Sequence, residues 1–195
     1  KVTPRVDGDL AHVLVETWQN GEGEVAYTIG EETKIAASVN GYASAEFEIA
    51  HVHLWNGVKD PYLYCVKAVF GTDEIWTKFG CRDFAFDAER GFLLNGKPYP
   101  LRGVSRHQDR KGIGSALTIK EHEEDMELIR EIGANTIRLA HYQHAQEFYD
   151  LCDAYGMVVW AEIPYITQHM PAGRENTVSQ MRELITQCYN HPSIY

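Results

Sequence analysis

Through the first 88 residues, apolar positions come in short bursts broken by turn signals. His12–Trp18 (HVLVETW) is rich in β-branched residues, and Glu24–Ile29, Ala45–Ile49, Tyr62–Phe70 and Glu74–Phe79 repeat the pattern. Asn20-Gly21, Asn40-Gly41, Asn56-Gly57 and Gly71 punctuate them. Strands this short, with turns this frequent, predict an antiparallel β-sandwich. In Tyr62–Phe70 the alternate residues Tyr62, Tyr64, Val66, Ala68 and Phe70 share one face, while Lys67 marks the other as partly wet. Trp18, Trp55 and Trp76 read as sandwich core.

From about residue 101 the period changes. Leu101–Val104 is a short apolar strand. Thr118-x-x-Glu121 opens a helix that Gly133 ends, with Met126, Ile129 and Ile132 on its apolar side. Asn135–Ala140 is the next strand. Phe148, Leu151, Cys152 and Tyr155 recur at helical spacing up to Gly156. Met157–Ile163 is a near-continuous apolar run, as expected of a strand buried on both faces. Val178, Met181, Ile185 and Cys188 mark a third helix, closed by Pro192. Three successive βα units predict a parallel sheet.

Composition narrows the partners. The 195 residues are 44% hydrophobic and carry a net charge of −10, which argues against polyanionic partners such as nucleic acid or an anionic membrane. No apolar run reaches the roughly 18 residues of a membrane-spanning helix. The start, KVTPRVDGDL, has no apolar core like that of a signal peptide. It lacks an initiator Met, so the chain is expected to begin inside a longer protein. Cys65, Cys81, Cys152 and Cys188 show no CxxC spacing and read as free thiols rather than a zinc site.

Each of these later strands ends in chemistry. The first runs into Arg106-His107-Gln108-Asp109, the second carries Arg138 and delivers His141-Tyr142, and the third delivers Glu162 before Pro164 and Tyr165. In a (β/α)8 barrel the carboxyl ends of the strands converge on one rim, where the site is built. The expectation is that Arg106–His107, Arg138–His141 and Glu162 share a single mouth. Trp160 reads as packing. Glu121, Glu123 and Glu124 read as a solvated helix start. His12, His51, His53, His122, His144, His169 and His191 read as ordinary polar residues.

The stretch Gly91–Asp109 (GFLLNGKPYPLRGVSRHQD) resembles the junction motif of glycoside hydrolase family 2, above all its β-galactosidases. The likeness continues through IRLAHY (137–142), FYDLCDAY (148–155), VVWAEIP (158–164) and NHPSI (190–194). Upstream, Leu54-Trp55 and Pro61-Tyr62-Leu63-Tyr64 are similar to the signature of that family's middle sandwich domain. Phe79-Gly80-Cys81-Arg82 is similar to its Phe-Gly-Phe-Arg. The resemblance implies an immunoglobulin-like β-sandwich over 1–88, followed over 89–195 by an incomplete N-terminal portion of a (β/α)8 TIM barrel, about three βα units.

The activity implied is that of a retaining exo-glycosidase acting on terminal β-D-galactosides through two glutamates, with β-glucuronidase and β-mannosidase as alternatives. Both catalytic glutamates are expected beyond Tyr195, leaving none in this chain and the fragment inactive. His107 and His141 would contact sugar hydroxyls, Arg138 would support the nucleophile, and Glu162 would play a supporting part. Gln108 stands where the family has Glu, a departure expected to alter substrate preference. The family's magnesium site should be absent or altered, because YITQHM (165–170) offers no carboxylate to a hard cation. No other cofactor is implied. The third strand should leave an open edge, through which copies of the chain could pair. A reading from another class is a non-catalytic carbohydrate-binding or spacer module that uses surface aromatics.

Overall fold

A computed structural model describes all 195 residues. Strands β1 (Val2–Asp7), β2 (Leu10–Trp18) and β5 (Tyr42–Ala50) form one antiparallel sheet in the order β1-β2-β5. Strands β3 (Gly23–Ile29), β4 (Glu32–Ser38), β6 (Tyr64–Phe70) and β7 (Asp73–Phe79) form a second, ordered β4-β3-β6-β7. Alternation places Ala11, Val13 and Val15 inward from β2, where they meet Val25, Tyr27, Phe47, Val66 and Phe79 in one shared core. The two faces of a strand repeat every second residue, so this pattern alone commits β2 to one orientation.

Two strands of these two sheets escaped the pattern. Both β1 and β4 are edges: β1 contains Pro4, which an edge tolerates, and β4 leaves Ile35 exposed. The tryptophans also differ from expectation. Trp18 and Trp76 are 63% and 62% exposed, because Trp18 ends β2 and Trp76 stands opposite Lys67 on the outer face. Trp55 is buried, but in a separate cluster with Phe92, Leu94 and Val158. Its Nε1–H donates to the Asp153 carbonyl at 2.9 Å, so it joins the halves instead of filling the sandwich.

A small antiparallel sheet of β8 (Phe84–Asp87), β9 (Gly91–Leu94) and β10 (Lys97–Pro98) follows. Asn95 and Gly96 turn β9 into β10 with positive φ of 50° and 73°, as a primed hairpin turn requires. Strands β11 (Gly103–Arg106), β12 (Thr136–Leu139) and β13 (Val158–Ala161) are parallel, in that order. The first begins two residues later than the apolar run predicted.

Helices α1 (Ile119–Glu131), α2 (Gln146–Tyr155) and α3 (Arg174–Cys188) alternate with these strands. Ile137, Leu139 and Val159 pack beneath Met126, Ile129, Phe148, Tyr149, Cys152 and Leu184. The expected capping box forms: the Thr118 N–H and hydroxyl donate to Glu121 Oε2 at 2.7 and 2.6 Å. Two helix faces differ from expectation. Ile132 of the turn after α1 is 68% exposed, and on α3 the buried stripe is Leu184 and Cys188, leaving Val178, Met181 and Ile185 exposed. The third strand's outer edge is not bare either, since Val159 N–H donates to Ser193 O at 2.8 Å and Ile194 bridges Val159 in parallel. Arg82 ties this turn to the sandwich by donating to the carbonyls of Pro192 and Ile194, at 2.9 and 2.6 Å. All four cysteines are free.

Candidate functional site

Register fixes which side chains meet. Ser105, Arg138 and Trp160 are paired across β11, β12 and β13. The neighbouring residues Ile137 and Leu139 face the helices, so this row faces the other way, and Arg138 and Trp160 are exposed on it. Just beyond the strand ends the chain delivers His107, His141 and Glu162.

Arg138 grips Glu162 with a fork: Nε to Oε1 at 2.5 Å and Nη2 to Oε2 at 3.1 Å. The same Nη2 lies 2.9 Å from His141 Nδ1. A guanidinium only donates, so Nδ1 is the acceptor and the His141 proton sits on Nε2. The 3.3 Å approach of Nδ1 to Glu162 Oε2 is then proximity without a proton between them. The Arg138 hydrogen bonds hold the Glu162 carboxyl below the usual range, against a smaller opposing effect of burial, and Glu162 raises Arg138 in return. The His107 ring meets the His141 ring edge-on, 5.0 Å between centroids. His107, Arg138, His141 and Glu162 are thus brought together, as the strand ends predicted.

Arg106 is not among them. It follows Val104 by two residues, shares that residue's helix-facing side, and is 5% exposed. Its Nε donates to Asp125 Oδ2 at 2.9 Å, and its Nη1 and Nη2 approach His144 Nδ1 and His122 Nδ1 at 3.1 and 2.9 Å. The guanidinium carbon stands 3.8 Å over the Phe148 ring. His122 and His144, read from sequence as ordinary, are therefore buried partners of a charge. Burial, with a small contribution from Arg106, pushes His144 down to about 4 against the opposing bond to Ala140. Burial and then Arg106 lower His122 as well.

Gln108 also points elsewhere than expected. Its Oε1 accepts the Ala145 N–H at 2.7 Å and its own N–H donates to the Tyr142 hydroxyl at 3.0 Å. It braces two loops, a task a glutamate oxygen would perform equally.

Several candidate metal donors are engaged by protein partners. Across residues 165–170, Tyr165 and His169 bond one another and no residue carries a carboxylate, while Glu162 is engaged by Arg138. Asp150, Asp153 and His191 do cluster. Yet Asp153 Oδ2 is 2.6 Å from His191 Nδ1, and its Oδ1 accepts the Ser193 N–H at 3.1 Å. Those atoms are committed to holding the turn after α3. Burial would lower His191, but the bond and charge of Asp153 raise it overall.

Residues 88–195 match the profile described as glycosyl hydrolases family 2, TIM barrel domain. A β-glucuronidase of Bacteroides fragilis is 46% identical over 158 residues, which is 72% of this chain and 22% of that protein. A β-galactosidase of Thermoanaerobacterium thermosulfurigenes is 36% identical over 150 residues, 73% of this chain and 20% of that protein. The crystal structure of an FMN-binding β-glucuronidase from Facaelibacterium prausnitzii L2-6 superposes with a TM-score of 0.88 at 39% identity, covering 99% of this chain and 32% of that one. The chain therefore spans between a fifth and a third of the length of these relatives.

Proposed function

The chain belongs to glycoside hydrolase family 2, and on that premise we propose that it supplies one wall of the sugar-binding mouth of a retaining β-glycosidase. In this reading, residues 1–88 are an immunoglobulin-like sandwich and residues 89–195 are the first three βα units of a (β/α)8 barrel. The observation that carries the proposal is the convergence of His107, Arg138, His141 and Glu162 at the carboxyl ends of parallel strands. Imidazoles and a fixed guanidinium–carboxylate pair suit a ligand that presents many hydroxyls.

A retaining mechanism needs two carboxyl groups about 5–5.5 Å apart, one nucleophilic and one protonated. Glu162 is the carboxylate gathered with these residues, and the Arg138 fork keeps it ionised, which disqualifies it as the acid. Both Glu162 oxygens are taken up by Arg138, which leaves neither free to attack a sugar, so on the family reading we assign both catalytic glutamates to positions outside these 195 residues and binding without turnover to the chain alone.

For the whole protein we place β-glucuronides first, supported by the 46% identical relative named β-glucuronidase. The β-galactoside reading, drawn from the junction motif, is supported by the relative named β-galactosidase. Nitrophenyl β-glucuronide and nitrophenyl β-galactoside decide between them. The protein containing this chain should favour the glucuronide in kcat/KM, and the isolated 195 residues should hydrolyse neither. Turnover by the isolated chain would overturn the assignment of the glutamates.

A further inference from the structure

We infer that Arg106 is a positioning residue for the mouth: its buried guanidinium fixes the loop from Ala140 to Ala145 and so sets where the His141 ring stands beside His107. Three hydrogen bonds close a circuit. The Arg106 carbonyl accepts the Ala140 N–H at 3.0 Å. The Ala140 carbonyl lies 3.1 Å from His144 Nε2, and His144 Nδ1 lies 3.1 Å from Arg106 Nη1. Ala140 immediately precedes His141, so the circuit holds the residue that launches the mouth histidine.

Proton logic makes the circuit directional. Arginine only donates and a carbonyl only accepts, so His144 must be neutral with its proton on Nε2. His122 must likewise present a lone pair at Nδ1 to Nη2. The guanidinium itself has no freedom to swing. Asp125 Oδ2 holds Nε and Nη2 at 2.9 and 2.8 Å, and Phe148 lies beneath the plane. Arg110 in turn holds Asp125 Oδ1 at 2.9 Å. On the far side of the loop, Gln108 ties Tyr142 and Ala145. The backbone is thereby anchored on both sides of His141 while its side chain projects to Arg138. Lysine is no substitute here, because a point charge lacks the planar fork that serves three acceptors at once.

The inference rests on the reading that this mouth takes sugar, but its test needs no sugar. The nitrogen-15-labelled 195-residue chain is compared by NMR with Arg106→Lys, His144→Gln and His144→Asn. Gln can replace the Nε2 donor to Ala140 but not the acceptor to Arg106, and Asn does the reverse. In the parent chain, His144 should show the neutral Nε2–H tautomer with Nδ1 accepting, and the His107 and His141 rings should give a cross-relaxation peak. Each variant should lose that peak while keeping its far-ultraviolet circular dichroism. Retention of the peak in a folded Arg106→Lys chain, with only the melting temperature lowered, would mark a merely structural role and overturn the inference. A His144 proton on Nδ1 in the parent chain would overturn it without any variant. If the peak behaves as expected and the whole protein hydrolyses no glycoside, the sugar reading fails and the positioning role stands.

Discussion

Arg138 and Glu162 show how differently one pair counts for stability and for function. Both border solvent, with side-chain exposures of 43% and 15%, and exposed ion pairs contribute about 0–1 kcal/mol. Glu162→Gln should therefore leave the melting curve nearly unchanged. It also removes a charge-assisted fork that orients Arg138 and, through it, His141. Hydrogen bonds to charged groups are worth about 1.5–3 kcal/mol, so kcat/KM of the whole protein should fall roughly 10- to 100-fold. The buried histidines make a second residue-scale prediction. His144 titrates near 4 when folded and near its ordinary 6.5 when unfolded. Between those values the unfolded chain binds the proton and the folded chain does not, so stability declines as pH falls from about 6.5 to about 4. The groups facing His144 are Arg106 on β11, His107 just beyond it, His122 on α1, and Tyr142 and Tyr149, with Asp125 on α1 reaching it only through Arg106. The lowering of His122 acts with the same sign. The loss from His144 alone is of the order of 3 kcal/mol, and chemical denaturation across this range should show His144→Gln with a shallower slope. The four mouth residues were legible because position at or just past the carboxyl end of a strand is a sequence property. The orientation of Arg106 was not read, although Val104, two residues earlier and apolar, carried the phase.

Among elements, the legible ones were those whose local chemistry agrees with their tertiary role. Helix α1 starts at Thr118 because its side chain and that of Glu121 satisfy one another's helix-end groups. Thr118→Ala should cost about 1 kcal/mol, read as a lowered denaturation midpoint with unchanged slope. Edge strands β1 and β4 were illegible because an edge need not bury both faces, so Pro4 and the exposed Ile35 break the apolar signature. Helix α3 fooled the pattern in another way. It carries two apolar stripes, and sequence periodicity does not say which one meets the sheet. Leu184 and Cys188 face the core with Cys152 and Tyr149, while Val178, Met181 and Ile185 do not.

At the scale of the molecule there are two substantial cores and a narrow seam. Thirteen buried residues make up the sandwich cluster and thirteen the cluster between the parallel sheet and its helices, whereas the seam cluster has four: Trp55, Phe92, Leu94 and Val158. Trp55 is the centre of that seam, 1% exposed, with its indole N–H on Asp153 O and its carbonyl accepting Asn95 Nδ2 at 3.1 Å. Polar ties run alongside it, from Arg82 to Pro192 and Ile194, and from the Val2 N–H to Asn190 Oδ1 at 2.8 Å. Cooperativity between the cores depends on whether the seam is worth more than the gap between their separate stabilities. Removing a large buried aromatic side chain costs about 3–5 kcal/mol, and here that loss falls on neither main core. The parent chain should thus melt in one transition by both far-ultraviolet circular dichroism and calorimetry. Trp55→Ala should resolve it into two, because each core keeps its own packing while the link weakens. A single transition that merely moves to lower temperature would show that the two main cores stay coupled through the Arg82 and Asn190 ties instead.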